Sequence, residues 1–171
     1  MEEIWRGLKT HFSKVENAID DLRDPVSHEN AQSIRSKLGQ SRVVEQFLES
    51  LSIHDGQMGD FFLIGPWRLS SSDQILRRLK RGFFSRVFGA ASHTAPIIIA
   101  DDGGSSWLEL DLKSGAITEV WEDGDEVILP SYRALLERAL NDMEQGTLVF
   151  DMESTGYVVA DDPDKNWPIS S

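Results

Sequence analysis

The sequence predicts an α+β fold, in which an antiparallel sheet of about five to six strands has helices packed on one face. The first third of the chain repeats apolar residues at the three- and four-residue spacing of amphipathic helices. Residues 97–121 instead alternate with the two-residue period of strands, with glycine turns between them. A hydrophobic content of 40% supports a core for one domain over residues 1–171.

Three helices are predicted before the sheet. The apolar pattern of the first extends over residues 2–23. Ser27 is suited to capping the second helix, and Gly39 to ending it. Ser41 caps the third, which ends at the turn 54–56. The helical part of the chain therefore comes first.

The segment after the third helix begins with a short apolar run, residues 61–64, which predicts a first strand. Ser72 or Asp73 then caps a fourth helix with a basic cluster on it. We expect residues 82–94 to form a mobile loop over one end of the sheet.

The centre of the predicted sheet is the stretch 96–112. A β-branched run is followed by an acidic, glycine-containing turn and then by apolar residues that alternate with Glu109 and Asp111. This period directs the apolar side chains inward, so we expect both carboxylates to face outward. A third paired strand, residues 117–121, follows a tight turn.

The remaining elements lie after residue 121. We expect an acidic turn over residues 122–126 and a short apolar run over 127–129. A helix capped by Ser131 follows, and then a hairpin over residues 147–160. The tail from Asp161 is expected to fray.

The net charge of −12 is concentrated in the C-terminal part of the chain. Residues 1–100 hold 13 Lys and Arg against 12 Asp and Glu, whereas residues 101–171 hold 4 against 17. Such a field repels nucleic acid and attracts basic protein surfaces. The chain has no cysteine, and its acidic, amphipathic start is unlike a signal peptide. We therefore expect a cytoplasmic protein that binds neither nucleic acid nor membrane.

No pattern predicts catalysis, a metal or a cofactor. Asp101 and Asp102 supply two adjacent carboxylates, fewer ligands than calcium requires. The turn 54–56 contains His54 and Asp55, which we interpret as structural because no nucleophile or second base accompanies them. The glycines after Asp102 precede a strand and not a helix, which disfavours phosphate binding. The basic residues from Arg77 onward are interpreted as a solvated face or as partners of the acidic half.

The order and spacing of several short motifs resemble the SUKH superfamily, the Smi/Knr-like domain. The matching residues are His54, Asp55, Gly56, Gln57, Ile98, Ala100, Asp102, Gly103, Leu110, Asp111, Gly115, Ile117, Ser131 and Leu135. The resemblance covers residues 26–145, so the helix 2–23 and the hairpin 147–160 are additions to it. It implies the α+β fold that the periodicity also predicts.

The resemblance also implies a function without enzymatic activity. Bacterial members of the superfamily are typically immunity proteins that bind and neutralise a cognate polymorphic or contact-dependent toxin, often a nuclease or deaminase. Fungal members are cell-wall-assembly regulators, so a regulatory scaffold is the alternative, and an unrecognised enzyme is a third. We expect a basic protein partner to bind the following residues of the sheet: Asp101, Asp102, Glu109, Asp111, Glu119, Trp121, Glu122, Asp123, Asp125 and Glu126.

Overall fold

The structure of the protein is a computed structural model that describes residues 1–80, 96–121, 124–162 and 167. The predicted α+β class is confirmed, because helices in these ranges accompany a five-stranded antiparallel sheet and a separate two-stranded sheet. The helices are α1 (Glu2–Phe12), α2 (His28–Leu38), α3 (Arg42–Leu51), α4 (Ser72–Lys80) and α5 (Tyr132–Glu144). The strands are β1 (Arg68–Leu69), β2 (Ile97–Asp101), β3 (Trp107–Leu110), β4 (Ile117–Trp121), β5 (Gly124–Leu129), β6 (Leu148–Asp151) and β7 (Gly156–Val159). None of the helices in the described ranges has the length and apolar character that a membrane crossing requires. The predicted loop over residues 82–94 lies outside the described residues.

Serine side chains begin three of the helices, as the sequence predicts. Ser27 Oγ accepts a hydrogen bond from the amide of Asn30 at 3.1 Å, and Ser41 Oγ accepts one from Val44 at 3.2 Å. Ser131 Oγ caps α5 in the same way. Each cap satisfies one amide that the first helical turn leaves unpaired, and it stabilises its helix by about 1 kcal/mol.

The first helix is shorter than its apolar pattern predicts, and the expected end near residue 23 is wrong. α1 ends at Phe12, and irregular turns follow it. Asn17 adopts a left-handed φ of 65°, which no helix continues through. The apolar pattern extends further because these turns still bury Ala18 and Leu22.

Residues 61–64 do not form a strand of the five-stranded sheet, which corrects the prediction for this run. Phe62 instead forms an isolated parallel bridge with Gly156, in which the amide of Tyr157 donates to the carbonyl of Phe62 at 2.9 Å. Gly65 turns the chain at a φ of 60°, and β1 begins only at Arg68. The run thus ties the predicted C-terminal hairpin, confirmed as β6 and β7, to the rest of the protein.

The sheet runs in the order β1-β2-β3-β4-β5, with every neighbouring pair antiparallel. Directly opposed residues share a face of a sheet. Leu110 opposes Ile117, and Leu108 opposes Glu119, so these four side chains lie on one face. That face contributes Leu108, Leu110 and Ile117 to the main core. Trp107 and Glu109 lie on the opposite face.

The turn 54–57 has a structural role, as the sequence predicts for His54, Asp55 and Gly56. Asp55 is buried, and its carboxylate accepts hydrogen bonds from the amide of Ser72 at 2.6 Å and from the Ser72 hydroxyl at 2.5 Å. Gly56 has a φ of +70°, and an added Cβ would lie 2.7 Å from the backbone of Ser70. His54 Nδ1–H donates to the carbonyl of Arg23 at 3.1 Å. These contacts fix the turn against α4 and the chain before it.

Gln57 extends these contacts from the turn to the sheet. Its amide oxygen accepts from the backbone N–H of Leu69 in β1 at 2.9 Å. Its Nε2 donates to a carboxylate oxygen of Asp21 and to the carbonyl of Phe61, both at 2.9 Å. One side chain therefore joins the N-terminal turns, the 61–64 run and the first strand.

The tail is anchored at one described position, so the prediction that it frays is wrong at Trp167. This indole is 1% exposed, and its Nε1–H donates to a carboxylate oxygen of Asp142 in α5 at 2.9 Å. The indole of Trp67 donates in turn to the carbonyl of Trp167 at 3.2 Å. The core therefore includes a residue from the last part of the sequence.

Candidate functional site

Asp101, a predicted partner-binding residue, already has two cationic partners. Arg68 of β1 lies 3.2 Å from one carboxylate oxygen, and Arg78 of α4 lies 3.1 Å from the other. Arg68 also approaches Asp60 at 3.7 Å. The sequence leaves two interpretations of the basic cluster on α4 open, a solvated face or pairing with the acidic half. Arg78 pairs with the acidic half. Asp101 stabilises the junction of α4 with the sheet.

Asp111 holds the turn between β3 and β4. One of its carboxylate oxygens accepts from the amides of Lys113 and Ser114 at 3.0 and 2.6 Å, and from the Ser114 hydroxyl at 2.7 Å. These bonds, above all the one from the Ser114 amide, lower the pKa of Asp111. The turn closes at Gly115, which has a φ of 84°. This carboxylate thus has a local structural function.

Glu109 is 8% exposed, so the expectation that it faces outward is wrong. It lies opposite Ile98, which is also buried, on a face of the sheet that is covered at this point. Its carboxylate accepts a hydrogen bond from the indole Nε1–H of Trp107 at 2.9 Å. Burial raises the pKa of Glu109, and the charge of Asp125 raises it further. Glu109 is therefore a buried acid with a hydrogen-bond donor.

Glu119 is 7% exposed and is likewise not directed outward as expected. It lies between Leu108 on β3 and Glu126 on β5, on the face that carries the core residues of these strands. Burial, and then the charges of Glu126 and Asp102, raise its pKa to about 7. Among the described residues, the fully buried side-chain atom without a hydrogen-bond partner is His54 Nε2, so the Glu119 carboxylate is not in that category. Glu119 is thus buried among like charges.

The predicted acidic turn over residues 122–126 is in part a strand. β5 begins at Gly124, so Asp125 and Glu126 belong to it, and both are exposed. Among the described residues β5 is an edge strand, because only β4 pairs with it. Trp121 is half-buried opposite Gly124. The other two predicted site residues, Glu122 and Asp123, lie outside the described residues.

The charges of Asp102 and Glu126 act on Glu119, and we call these three carboxylates the acidic cluster: Asp102, Glu119 and Glu126. One oxygen of Asp102 is held by the amides of Gly104 and Ser106 at 2.8 and 3.2 Å. Asp102 also lines a cleft of about 220 Å³ together with Phe62, Pro66 and Tyr157. Of the acidic cluster, Asp102 therefore adjoins a largely apolar cleft.

The burial of Glu119 has a signal in the sequence that the outward assignment missed. Ile117, Glu119 and Trp121 are spaced by two residues and so share a face of their strand. Since Ile117 is a core residue, Glu119 must point the same way. The pairing of Asp101 with Arg68 and Arg78 has no comparable signal, because it depends on how α4 packs against the sheet.

Glu119 makes the stability of the protein depend on pH. Its pKa rises from 4.5 to about 7 on folding, so in this pH range the folded protein retains a proton that the unfolded chain loses. The free energy of unfolding therefore falls by about 3 kcal/mol as the pH rises through the range. We expect Glu119→Gln to remove this decrease and to be more stable than the wild type at pH 8 but not at pH 4.

Urea unfolding at pH 4, 6 and 8 measures this difference. The control is Glu153→Gln, which changes an exposed carboxylate in the β6–β7 turn and should leave the pH dependence as it is in the wild type. If Glu119→Gln and the wild type lost stability in parallel between pH 4 and 8, the assignment of the raised pKa to Glu119 would be wrong.

The fold and the site define an antiparallel α+β protein with repelling carboxylates at one end of its sheet. Among the described residues, no group of three or more His, Cys, Asp or Glu side chains is arranged to hold a metal ion. Comparison of the chain with models of known protein families finds no match, and comparison with curated proteins finds no matching relative.

Proposed function

We propose that the protein is a non-enzymatic, cytoplasmic binding protein of the immunity type, which neutralises a cognate toxin by direct binding. The observation that carries the proposal is the acidic cluster. Glu119 is buried beside Glu126 and Asp102, whose charges oppose its own ionisation. A fold keeps such repulsion at a cost to its stability, and charges arranged in this way are typical of functional sites. A basic partner offsets the cost when it binds.

The charge of the whole chain supports the same kind of partner. The acidic residues are concentrated after residue 100, whereas Arg68 and Arg78 are engaged with Asp101 inside the protein. A nuclease or another enzyme that binds phosphates has a basic cleft, and complementary fields accelerate its encounter with an acidic surface. Occupation of that cleft would block the toxin. The resemblance to the SUKH superfamily favours this role over other roles of acidic binding proteins.

The test is co-expression with the toxin domain encoded beside the gene, scored as rescue of growth. We expect Asp125→Lys combined with Glu126→Lys to abolish rescue and to weaken toxin binding at least tenfold, since close charge pairs at interfaces couple by about 1.5 to 7 kcal/mol. Both residues are exposed on the edge strand β5, and circular dichroism checks that the variant stays folded. Calorimetry with a catalytically inactive toxin measures the affinity.

Asp20→Lys combined with Glu153→Lys is the matched control, because it makes the same change in charge at exposed positions outside the sheet. This control should rescue growth as the wild type does. A folded β5 variant that still rescued fully would show that the toxin binds elsewhere. Failure of the folded wild type to rescue would contradict the immunity function and favour the regulatory scaffold.

A further inference from the structure

A largely apolar cleft of about 220 Å³ lies where β7 meets the chain that precedes β1. The two segments form a single isolated bridge, between Phe62 and Gly156. The side chains of Phe62, Pro66 and Val158 line the cleft, and each of them is half-buried. The protein therefore keeps apolar side chains partly open to solvent in a concave place, which is typical of an interaction site.

The main chain around the cleft is held by hydrogen bonds and close contacts. The amide of Phe62 donates to the carbonyl of Thr155 at 3.1 Å, and the amide of Tyr157 donates to the carbonyl of Phe62 at 2.9 Å. The guanidinium of Arg68 lies 5.4 Å from the centre of the Phe62 ring. At Gly156 an added Cβ would lie 2.7 Å from the Cβ of Phe62. A cleft fixed in this way costs little ordering when it is occupied.

The size and lining of the cleft indicate what occupies it. Sites for drug-sized molecules have volumes of about 300 to 1,000 Å³, so a cleft of about 220 Å³ suits one side chain of a protein partner better. Phe62 and Tyr157 contribute aromatic residues to the lining, and aromatic side chains pack well against one another. We therefore expect the occupant to be an aromatic side chain.

The charges beside the cleft indicate the sequence around that side chain. Asp102 lines the cleft, and so does Ser154, which stands between exposed Glu153 and the positive-φ Thr155 in the β6–β7 turn. The cation next to the cleft, Arg68, is already paired with carboxylates of the protein. A second copy of this chain carries a net charge of −12 and is repelled, whereas a basic partner is attracted.

We propose that the cleft binds one aromatic side chain of the protein partner, on a segment whose neighbouring arginine or lysine residues lie against Asp102 and Glu153. This inference deepens the proposed function and rests on it. An aromatic side chain buried in a preformed pocket is the usual source of affinity at an interface. The flanking charges then guide the encounter and orient the segment.

The probe is a blocked pentapeptide with a central phenylalanine between two pairs of arginines, titrated into the isotope-labelled protein and followed by NMR. We expect the amide signals of Ser154 and Val158 to shift. The affinity should fall by about tenfold or more when serine replaces the phenylalanine, because the burial of the aromatic side chain is lost. Glutamates in place of the arginines should abolish binding.

Variants of the protein test the same contacts from the other side. Ser154→Trp places a large side chain in the cleft at an exposed position, and it should weaken binding by about tenfold or more. Ser36→Trp is the matched control, the same change at an exposed serine of α2, and it should bind as the wild type does. Circular dichroism checks that both variants stay folded.

The charge of Asp102 is tested separately. Asp102→Asn retains a side-chain oxygen for the amides of Gly104 and Ser106 but removes the negative charge. We expect it to bind the arginine peptide about threefold more weakly and with a smaller dependence on salt.

Several results would overturn the inference. Equal binding of the phenylalanine and serine peptides would show that the cleft holds no aromatic side chain. Peptide binding that leaves Ser154 and Val158 unshifted, or that folded Ser154→Trp retains in full, would place the site elsewhere. Full growth rescue and unchanged toxin affinity with Ser154→Trp would reject the cleft as a toxin contact while the immunity function stands. Conversely, peptide binding as expected in a protein that rescues no toxin would reject the immunity function alone.

Discussion

Replacing Trp167 by alanine is expected to lower the free energy of unfolding by about 3–5 kcal/mol, the cost of removing a large buried aromatic side chain. The indole is 1% exposed and packs against Gly65, where an added Cβ would overlap its ring. The substitution leaves a cavity there. It also removes the Nε1–H donor from Asp142, whose carboxylate is buried and keeps Arg138 and Asn141 as partners.

Urea denaturation followed by circular dichroism measures this loss. Trp167→Phe separates its two components, because phenylalanine retains much of the packing but cannot donate to Asp142. We expect the free energy of unfolding of this variant to lie between those of Trp167→Ala and the wild type. A loss below about 1 kcal/mol for Trp167→Ala would contradict the burial of the indole in solution.

Replacing Asp55 by alanine is expected to cost about 3 kcal/mol or more, since it removes the charged acceptor of two buried donors. Asp55 is 4% exposed, and both its oxygens bond to Ser72 at the start of α4. Without the carboxylate, the Ser72 amide has no partner in the first turn of the helix. The Ser72 hydroxyl still accepts the hydrogen bond from Asn30 Nδ2 at 2.9 Å.

A double-mutant cycle with Ser72→Ala tests this account of Asp55. The single Ser72→Ala change removes the hydroxyl and keeps the amide bond, so its cost should be smaller than that of Asp55→Ala. In the double variant the loss of stability should be smaller than the sum of the two single losses, because both single changes remove the bond between the Ser72 hydroxyl and Asp55. Full additivity would mean that the Asp55 carboxylate acts independently of the Ser72 hydroxyl.

Local signals made most of the fold predictable. The serine caps at Ser27, Ser41 and Ser131 follow from short-range hydrogen bonding, and the structure has all three. The strands from Ile97 to Trp121 follow from a two-residue period within a single segment. The apolar pattern predicts too long a first helix, because turns that bury every third or fourth residue have the same apolar spacing as a helix. An asparagine at position 17 does not by itself exclude a helix, although its φ in the structure does.

The candidate site was predictable only in part, because its properties depend on register and long-range packing. The sequence shows the carboxylates, but the position of Glu126 opposite Glu119 follows from the pairing of β4 with β5. Trp167 stands in a polar tail without a period, so no pattern marks it as a core residue. The two arginines around Asp101 come from separate elements and meet only in the folded chain.

The turn 54–57 has a consequence for how the protein unfolds. Gln57 and Asp55 hydrogen-bond to the N-terminal turns, to β1 and to the start of α4, so these segments share one set of buried bonds. Opening the turn would leave donors in several elements unpaired at the same time. We therefore expect the N-terminal helices and the sheet to unfold together as one cooperative unit. Neither part should melt as an independent subdomain.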